Sequence, residues 1–437
     1  MTEPIDDHSA LRLMQALDEG RLDSLFQAAH VDYAGSEGLT GVSGSLGLPR
    51  DEIARLLMAV RRAQGLTILA GAWGDYAGWI TLSAELVELL HWIDIRASFD
   101  FSLTSELPDD EIRRLRNQIL IEEVLPLGLT NGELSPIDDI ELAQAMNAAR
   151  RMLQEGTEPA SDYERWVLRF FEMMLRLPEL AAAPLTATRL CEIHALLSLD
   201  ERLGGEYRTT QTTENSGLGF TADGPGALPQ RISNEMGAIT SYCTDNQKPF
   251  VHPLIKAIVI FYWIRRVQPF SVANGLFARL IAHIYEYQQG YRRLPFTPLT
   301  RTQSSEWAVP PPDVGETSFD ATNFIIKRLH LFLNAYIEAE REIDLTTREY
   351  RALCTKYQAV DINQRQARIL DKALGAPTTV FTIRHHARSR GLAYETARQD
   401  FLQLVKAGYL EQAKRGRVFE FRLAQDAPKK LLPRLSS

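Results

Sequence analysis

Cysteine is scarce in this chain. Cys191, Cys243 and Cys354 are far apart in 437 residues, an odd number without metal-ligand spacing, so neither a disulfide framework nor a zinc site is implied. Long apolar runs are missing as well. The longest, Ala257 to Ile264, falls far short of the roughly 20 residues that span a bilayer, so no membrane association is expected. The first residues, Met1-Thr2-Glu3-Pro4-Ile5-Asp6-Asp7, are acidic where a secretory signal is basic and then apolar. These absences point to a cytoplasmic protein. A basic coat is lacking too, since the formal charge is −8, although one basic module remains compatible with that sum. Apolar residues make up 45%, an ordinary globular share, and the length predicts two to four domains.

What is present is helical periodicity over most of the length. Leu11, Leu13, Met14 and Leu17, then Leu22, Leu25 and Phe26, then Ile53, Leu56, Leu57 and Val60 recur at helical spacing. Two β-prone runs follow, Leu66 to Leu69 and Trp79 to Leu82, around a loop through Trp73 and Gly78. Helices followed by a hairpin predict a winged-helix-like region over residues 1–83. Its hairpin turn, Trp73 to Tyr76, carries no basic residue, so a protein or dimer contact is expected there rather than DNA. From Ser83 to about Arg202 the pattern is almost wholly helical. Its densest stripe, Trp166, Leu168, Phe170, Phe171, Met174 and Leu175, must lie in a core. Gly205 to Gln211 turns to β-type residues, and helices resume at Ile232 and run to about 345.

A last module spans residues 361–425, with helices expected at 363–373, 382–390 and 394–407. A hairpin of Tyr409–Ala413 and Val418–Leu423 follows, about the turn Lys414-Arg415-Gly416-Arg417. This is a second winged-helix pattern. Residues 361–423 hold twelve Lys+Arg against six Asp+Glu, a charge of +6 that leaves −14 on the rest. Such asymmetry is the electrostatic footprint of a DNA-binding module. Thr396, Arg398 and Gln399 project toward base edges in this reading, while Lys414, Arg415 and Arg417 meet phosphates. The alternative is a winged helix used for protein interaction or packing. His252 and His283 lack partners at ligand spacing and are expected at a helix start and on a helix face; His385 and His386 are expected at solvent or phosphate.

One stretch carries most of the chemistry. Residues 268–279 read Gln-Pro-Phe-Ser-Val-Ala-Asn-Gly-Leu-Phe-Ala-Arg. They resemble the signature of Fic-type AMP-transferases, His-Pro-Phe-x-Asp/Glu-Gly-Asn-Gly-Arg-x-x-Arg, at Pro269, Phe270, Asn274, Gly275 and Arg279. Leu185–Leu197, Gly205–Gln211 and His252-Pro253-Leu254 are similar to the family's helix, the strand opening its β-hairpin flap, and its entry into the helix before the signature. The likeness covers roughly residues 140–340. It implies a mainly α fold: a Fic-type helical core over 84–345 with a small β-hairpin flap, plus the winged-helix modules. Residues 378–423 resemble the winged-helix domain at the carboxy terminus of some Fic proteins.

The family's chemistry, as the resemblance implies it, moves AMP from ATP to a protein hydroxyl. A histidine acts as base, an acid holds Mg²⁺, a glycine-rich turn cradles phosphate and two arginines grip it. Here Gln268 replaces the histidine, Val272 the acid, Ala273 the first glycine and Leu276 the first arginine. A carboxamide accepts no proton near pH 7, and valine offers a hard cation no oxygen. We therefore expect no catalytic residue, no metal and no cofactor. What remains is a residual phosphate site at Asn274, Gly275 and Arg279, or else Asn274 capping its helix and Arg279 pairing with a surface acid. Ser98–Leu103 is the nearest counterpart of the family's inhibitory helix, with Ser102 where the glutamate belongs. The reading is a degenerate pseudo-enzyme that regulates by binding DNA or a protein partner, with a homodimer as a further option. The alternative is a divergent nucleotidyltransferase that uses ATP and Mg²⁺.

Overall fold

The computed structural model describes residues 7–31, 39–73, 76–98, 107–125, 139–210, 226–244, 249–292, 318–415 and 418–435. The fold is mainly α, with two small sheets. First come α1 (Asp7–Asp18), α2 (Asp23–Phe26), a π-helical turn (Gln27–Val31), α3 (Leu39–Leu46) and α4 (Arg50–Gln64). α4 starts after an extended Pro49, with Asp51 and Glu52 in its first turn and Arg61 and Arg62 in its last, as the helix dipole favours. The group closes a small apolar cluster of its own about Leu25, Val42, Leu46, Ile53 and Leu57. Arg61 seals it by donating to the carbonyls of Ala28 and Ala29, each at 3.1 Å.

β1 (Leu66–Trp73) and β2 (Tyr76–Ile80) form the expected antiparallel hairpin, Leu66 opposite Ile80. Its buried residues Ile68 and Ile80 are not part of the α1–α4 cluster. Ile68 and Ile80 join the central core, and the Tyr242 hydroxyl donates to the Ile68 carbonyl at 2.6 Å. On its other edge β2 pairs in parallel with β3 (Ser318–Asp320). The larger apolar surface lies in the helices that follow, so Ile68 and Ile80 pack there.

Those helices are α5 (Ala84–Ser98), α6 (Asp109–Val124), α7 (Asp139–Glu155), α8 (Asp162–Leu175), α9 (Leu177–Leu180), α10 (Ala187–Leu197), α11 (Pro229–Thr244), α12 (Pro253–Val267), α13 (Asn274–Gln288) and α14 (Thr322–Lys356). α12 and α13 form the centre and are buried on nearly every side. That explains why neither sequence shows a polar face. α14, 35 residues long, buries Phe324, Leu329, Phe332 and Tyr336 in this core, while its last turns place Leu353 in the next one.

The carboxy-terminal module contains α15 (Gln364–Gly375), β4 (Phe381–Thr382), α16 (Ile383–Ser389), α17 (Tyr394–Lys406), β5 (Leu410–Arg415), β6 (Val418–Leu423) and α18 (Ala427–Leu435), with the sheet in the order β4-β6-β5. Asn363 and Gln366 form a reciprocal capping box at the start of α15. Of the residues expected in its core, Ile369, Leu370 and Leu404 are buried, while Leu402 and Val405 are half-buried. The centre of this core is Phe401 stacked on Phe421, ring centroids 4.5 Å apart.

Candidate functional site

The turn between α12 and α13 is held in an unusual backbone state. Gln268 ends α12 at φ 46° and Ala273 precedes α13 at φ 58°, the two non-glycine residues with positive φ among those described. Side chains other than glycine pay roughly 1–2 kcal/mol for this conformation, so neighbouring contacts must over-determine it. Asn274 supplies two: Oδ1 accepts from the Phe270 amide at 2.9 Å, and Nδ2 donates to the Phe270 carbonyl at 2.8 Å. It is the first residue of α13, the cap position being Ala273 without a side-chain bond, so the expectation that it caps the helix is corrected. The amide instead brackets the turn that leads into it.

Arg208 supplies more. Its guanidinium donates to the carbonyls of Gln268 at 2.6 Å, Thr210 at 2.8 Å, Ala227 at 2.5 Å and Val267 at 3.2 Å, and its amide donates to the Pro269 carbonyl at 3.0 Å. His194 completes the clamp. Its ring lies 3.6 Å from that of Phe270, nearly parallel. Nδ1 accepts from the Gly205 amide at 3.0 Å, which leaves the proton on Nε2, 3.0 Å from the Val272 carbonyl that accepts it. Burial lowers its pKa to about 4, against a weaker upward pull from the Val272 bond. Sequence reasoning passed over both His194 and Arg208, because nothing in their local pattern marks them.

Residues 184–285 match the model of the Fic/DOC family. This stretch is similar to the Fic/DOC family. Solved structures similar to the chain include a Fic family protein from Desulfovibrio desulfuricans G20, at 18% identity over 79% of this chain and 97% of that one, with a TM-score of 0.45. Fic-1 residues 134–508 from C. elegans is similar at 16% identity, over 79% of this chain and 87% of that one, TM-score 0.41. A Fic domain containing signaling protein from Bacteroides thetaiotaomicron VPI-5482 follows at 17%, over 61% and 97%, TM-score 0.41. No curated protein matches.

Within the matched stretch, Gln268 is 5% exposed and its carbonyl is engaged by Arg208. Gly275 and Leu276 are buried, Leu276 as part of the apolar core. Residues 268–276 contain no carboxylate, and the Val272 carbonyl already accepts from His194, so this turn does not fit Mg²⁺. Arg279 does not meet a surface acid. Its Nη2 is ion-paired with Glu123 of α6, a carboxylate that is fully buried. One turn further along α13, Arg279, His283 and Glu286 line a cavity of about 40 Å³ with Ile258, Phe261 and Phe332. This is room for about one water. His283 is buried on α13 and sits 3.0 Å from Glu286 through Nδ1.

The segment expected to open the flap, Gly205–Gln211, carries no strand over its described residues 205–210. There Arg208 bonds the turn between α12 and α13 rather than a partner strand. The remainder of the expected flap, 211–225, and the proposed inhibitory positions 99–103 lie outside the described residues. His252 starts α12 as expected, accepting from the Leu254 amide at 3.4 Å, with Nε2 3.1 Å from Asp94. Among the described residues no group of three or more His, Cys, Asp or Glu is placed to hold a metal ion, and no helix is long and apolar enough to cross a membrane.

In the module, Thr396, Arg398 and Gln399 are exposed on the first turns of α17. Arg398 and Gln399 both bond Glu395, at 2.9 and 2.8 Å. Lys414 and Arg415 are exposed at the end of β5, Lys414 over the Phe419 ring. Arg417 lies outside the described residues. The expectation for the histidine pair is corrected. His386 is buried, with Nε2 3.5 Å from Asp400, and His385 is 3.2 Å from the Gln154 carbonyl.

Proposed function

We propose that this chain is a Fic-family protein without AMP-transfer chemistry, whose residues 361–425 act as a winged helix-turn-helix that binds double-stranded DNA in the cytoplasm. The observation that carries the first part is Gln268. Where the family resemblance requires a proton acceptor stands a buried, left-handed carboxamide whose backbone is clamped by Arg208. Positioned general-base action contributes about 10²–10⁴-fold in rate, and the turn loses it together with the cation ligand at Val272 and the first arginine at Leu276. The remaining arginine, Arg279, is held by Glu123, which leaves Asn274 and Gly275 as the poor remnant of a phosphate site.

The second part rests on the order helix, strand, helix, helix and hairpin in residues 364–423, with Thr396, Arg398 and Gln399 of α17 exposed and Arg415 of β5 82% exposed. Two measurements test the reading. Incubation with radiolabelled ATP and Mg²⁺ leaves every polypeptide unlabelled, whereas covalent adenylate overturns the first part in favour of a divergent nucleotidyltransferase. Random duplex DNA is bound with an affinity that falls steeply with salt, and Arg415→Ala lowers the slope of log K against log salt by about one. Salt-independent binding, or none, points instead to a protein partner.

A further inference from the structure

The module is fixed to the helical domain by charge rather than by apolar surface. Glu111, on the first turn of α6, is 2% exposed. It accepts from Arg390 at 2.6 Å and Arg368 at 2.8 Å, both from the module, and from Arg114 of its own helix at 2.9 Å. Asp110 adds a 3.4 Å contact to Arg390. Burial alone would raise the Glu111 carboxyl, but Arg390 and Arg368 outweigh it and bring the pKa down to about 2, so the group is ionised throughout the neutral range. Around this knot the contacts are also polar: His385 reaches the Gln154 carbonyl, and Arg388 lies against Gly156 so closely that a Cβ there would clash. The apolar part of the joint is small, Leu107, Ile112 and Tyr350 with half-buried Cys354. Among the described residues, Arg368 Nη2 is buried there without a hydrogen-bond partner. A polar, incompletely satisfied joint between two separate cores is one that opens.

The position of Arg390 gives this a functional direction. It lies in the connection between α16 and α17, four residues before Tyr394 opens the exposed helix. The α6 residue Arg113 covers the next residue, Gly391. In a helix-turn-helix, contacts from such elements to phosphate set the register on the duplex. A carboxylate gripped by several guanidiniums presents them with the same acceptor chemistry as a phosphate.

We propose that Glu111 is an intramolecular competitor of DNA: it holds Arg368 and Arg390 where backbone phosphates would otherwise take them, so that seating of the module on the helical domain and duplex binding oppose each other. This rests on the DNA-binding reading above. The module stays tethered through α14 when the joint parts.

The test uses the full chain, random-sequence duplex DNA at fixed salt, and hydrogen exchange. Glu111→Gln raises exchange of the amides in 383–392 in the absence of DNA and tightens duplex binding about tenfold, a coupling of ordinary size. Asp110→Asn, which keeps all three contacts to Glu111, moves both readouts the same way by less and serves if Glu111→Gln folds poorly. Adding DNA to the wild type raises exchange at 109–115. Unchanged or weaker duplex binding by both variants, while Arg415→Ala still weakens it, sinks the competition and leaves the DNA reading intact. No duplex binding by the wild type or either variant removes the DNA reading, and the competition with it.

Discussion

At the scale of single residues, the turn between α12 and α13 depends on two side chains, Arg208 and His194, that bond its backbone. Arg208→Ala strips several carbonyls of a charged donor in a buried place, and unfolding by urea should show a loss of about 3 kcal/mol. Arg202→Ala, at an exposed pair with Asp200, should leave the midpoint where it was. His194 makes a pH prediction. Its folded pKa of about 4 lies below its ordinary 6.5, so between those values the unfolded chain binds a proton that the folded chain does not. Stability from this group is complete above 6.5 and declines as pH falls toward 4, by up to about 3 kcal/mol. Urea midpoints at pH 7 and pH 5 measure it, and His194→Gln should flatten that interval. The sequence displayed Gln268, Val272 and Leu276 openly, because a missing functional group needs no geometry to be recognised. His194 and Arg208 stayed hidden because their roles are to bond backbone carbonyls, which every sequence has.

At the scale of elements, local signals did well. The helices expected at 363–373, 382–390 and 394–407 appear at 364–375, 383–389 and 394–406, since their ends are written in short-range chemistry such as the Asn363 cap and the Thr382 side chain that accepts from the His385 amide. Asn363→Ala should cost the module about 1 kcal/mol through the lost cap, with a further decrement because Asn363 also donates to Asp400 at 3.0 Å. A denaturation curve followed by a probe in the module would read it. Strands fared worse. β3 and β4 are three and two residues long, too short for alternation to show, and each exists because a distant strand offers an edge. The hairpin of β1 and β2 was legible as a hairpin, but the surface it packs on was not.

At the scale of the whole molecule, two large apolar cores are joined by one long helix and a charged knot. Calorimetry on the wild type should show a single broad transition. Glu111→Gln leaves Arg390 buried beside a neutral amide, and removing one partner of a buried pair costs about 3–5 kcal/mol, so the transition should split, with the module melting first. The charge of +6 counted over residues 361–423 overstates the basic surface, since Arg365, Arg368 and Arg390 face Asp400 and Glu111 within the fold.

Sequence by itself determined most of the helical segments, among them those at 364–375, 383–389 and 394–406, and that Gln, Val and Leu stand at positions 268, 272 and 276. Periodicity, caps and side-chain chemistry act over a few residues, and those features are of that range. Tertiary structure alone decided that Arg279 meets Glu123 across 156 positions and that Arg390 meets Glu111 across 279. Such pairs form only where burial of apolar stripes has already brought distant helices together.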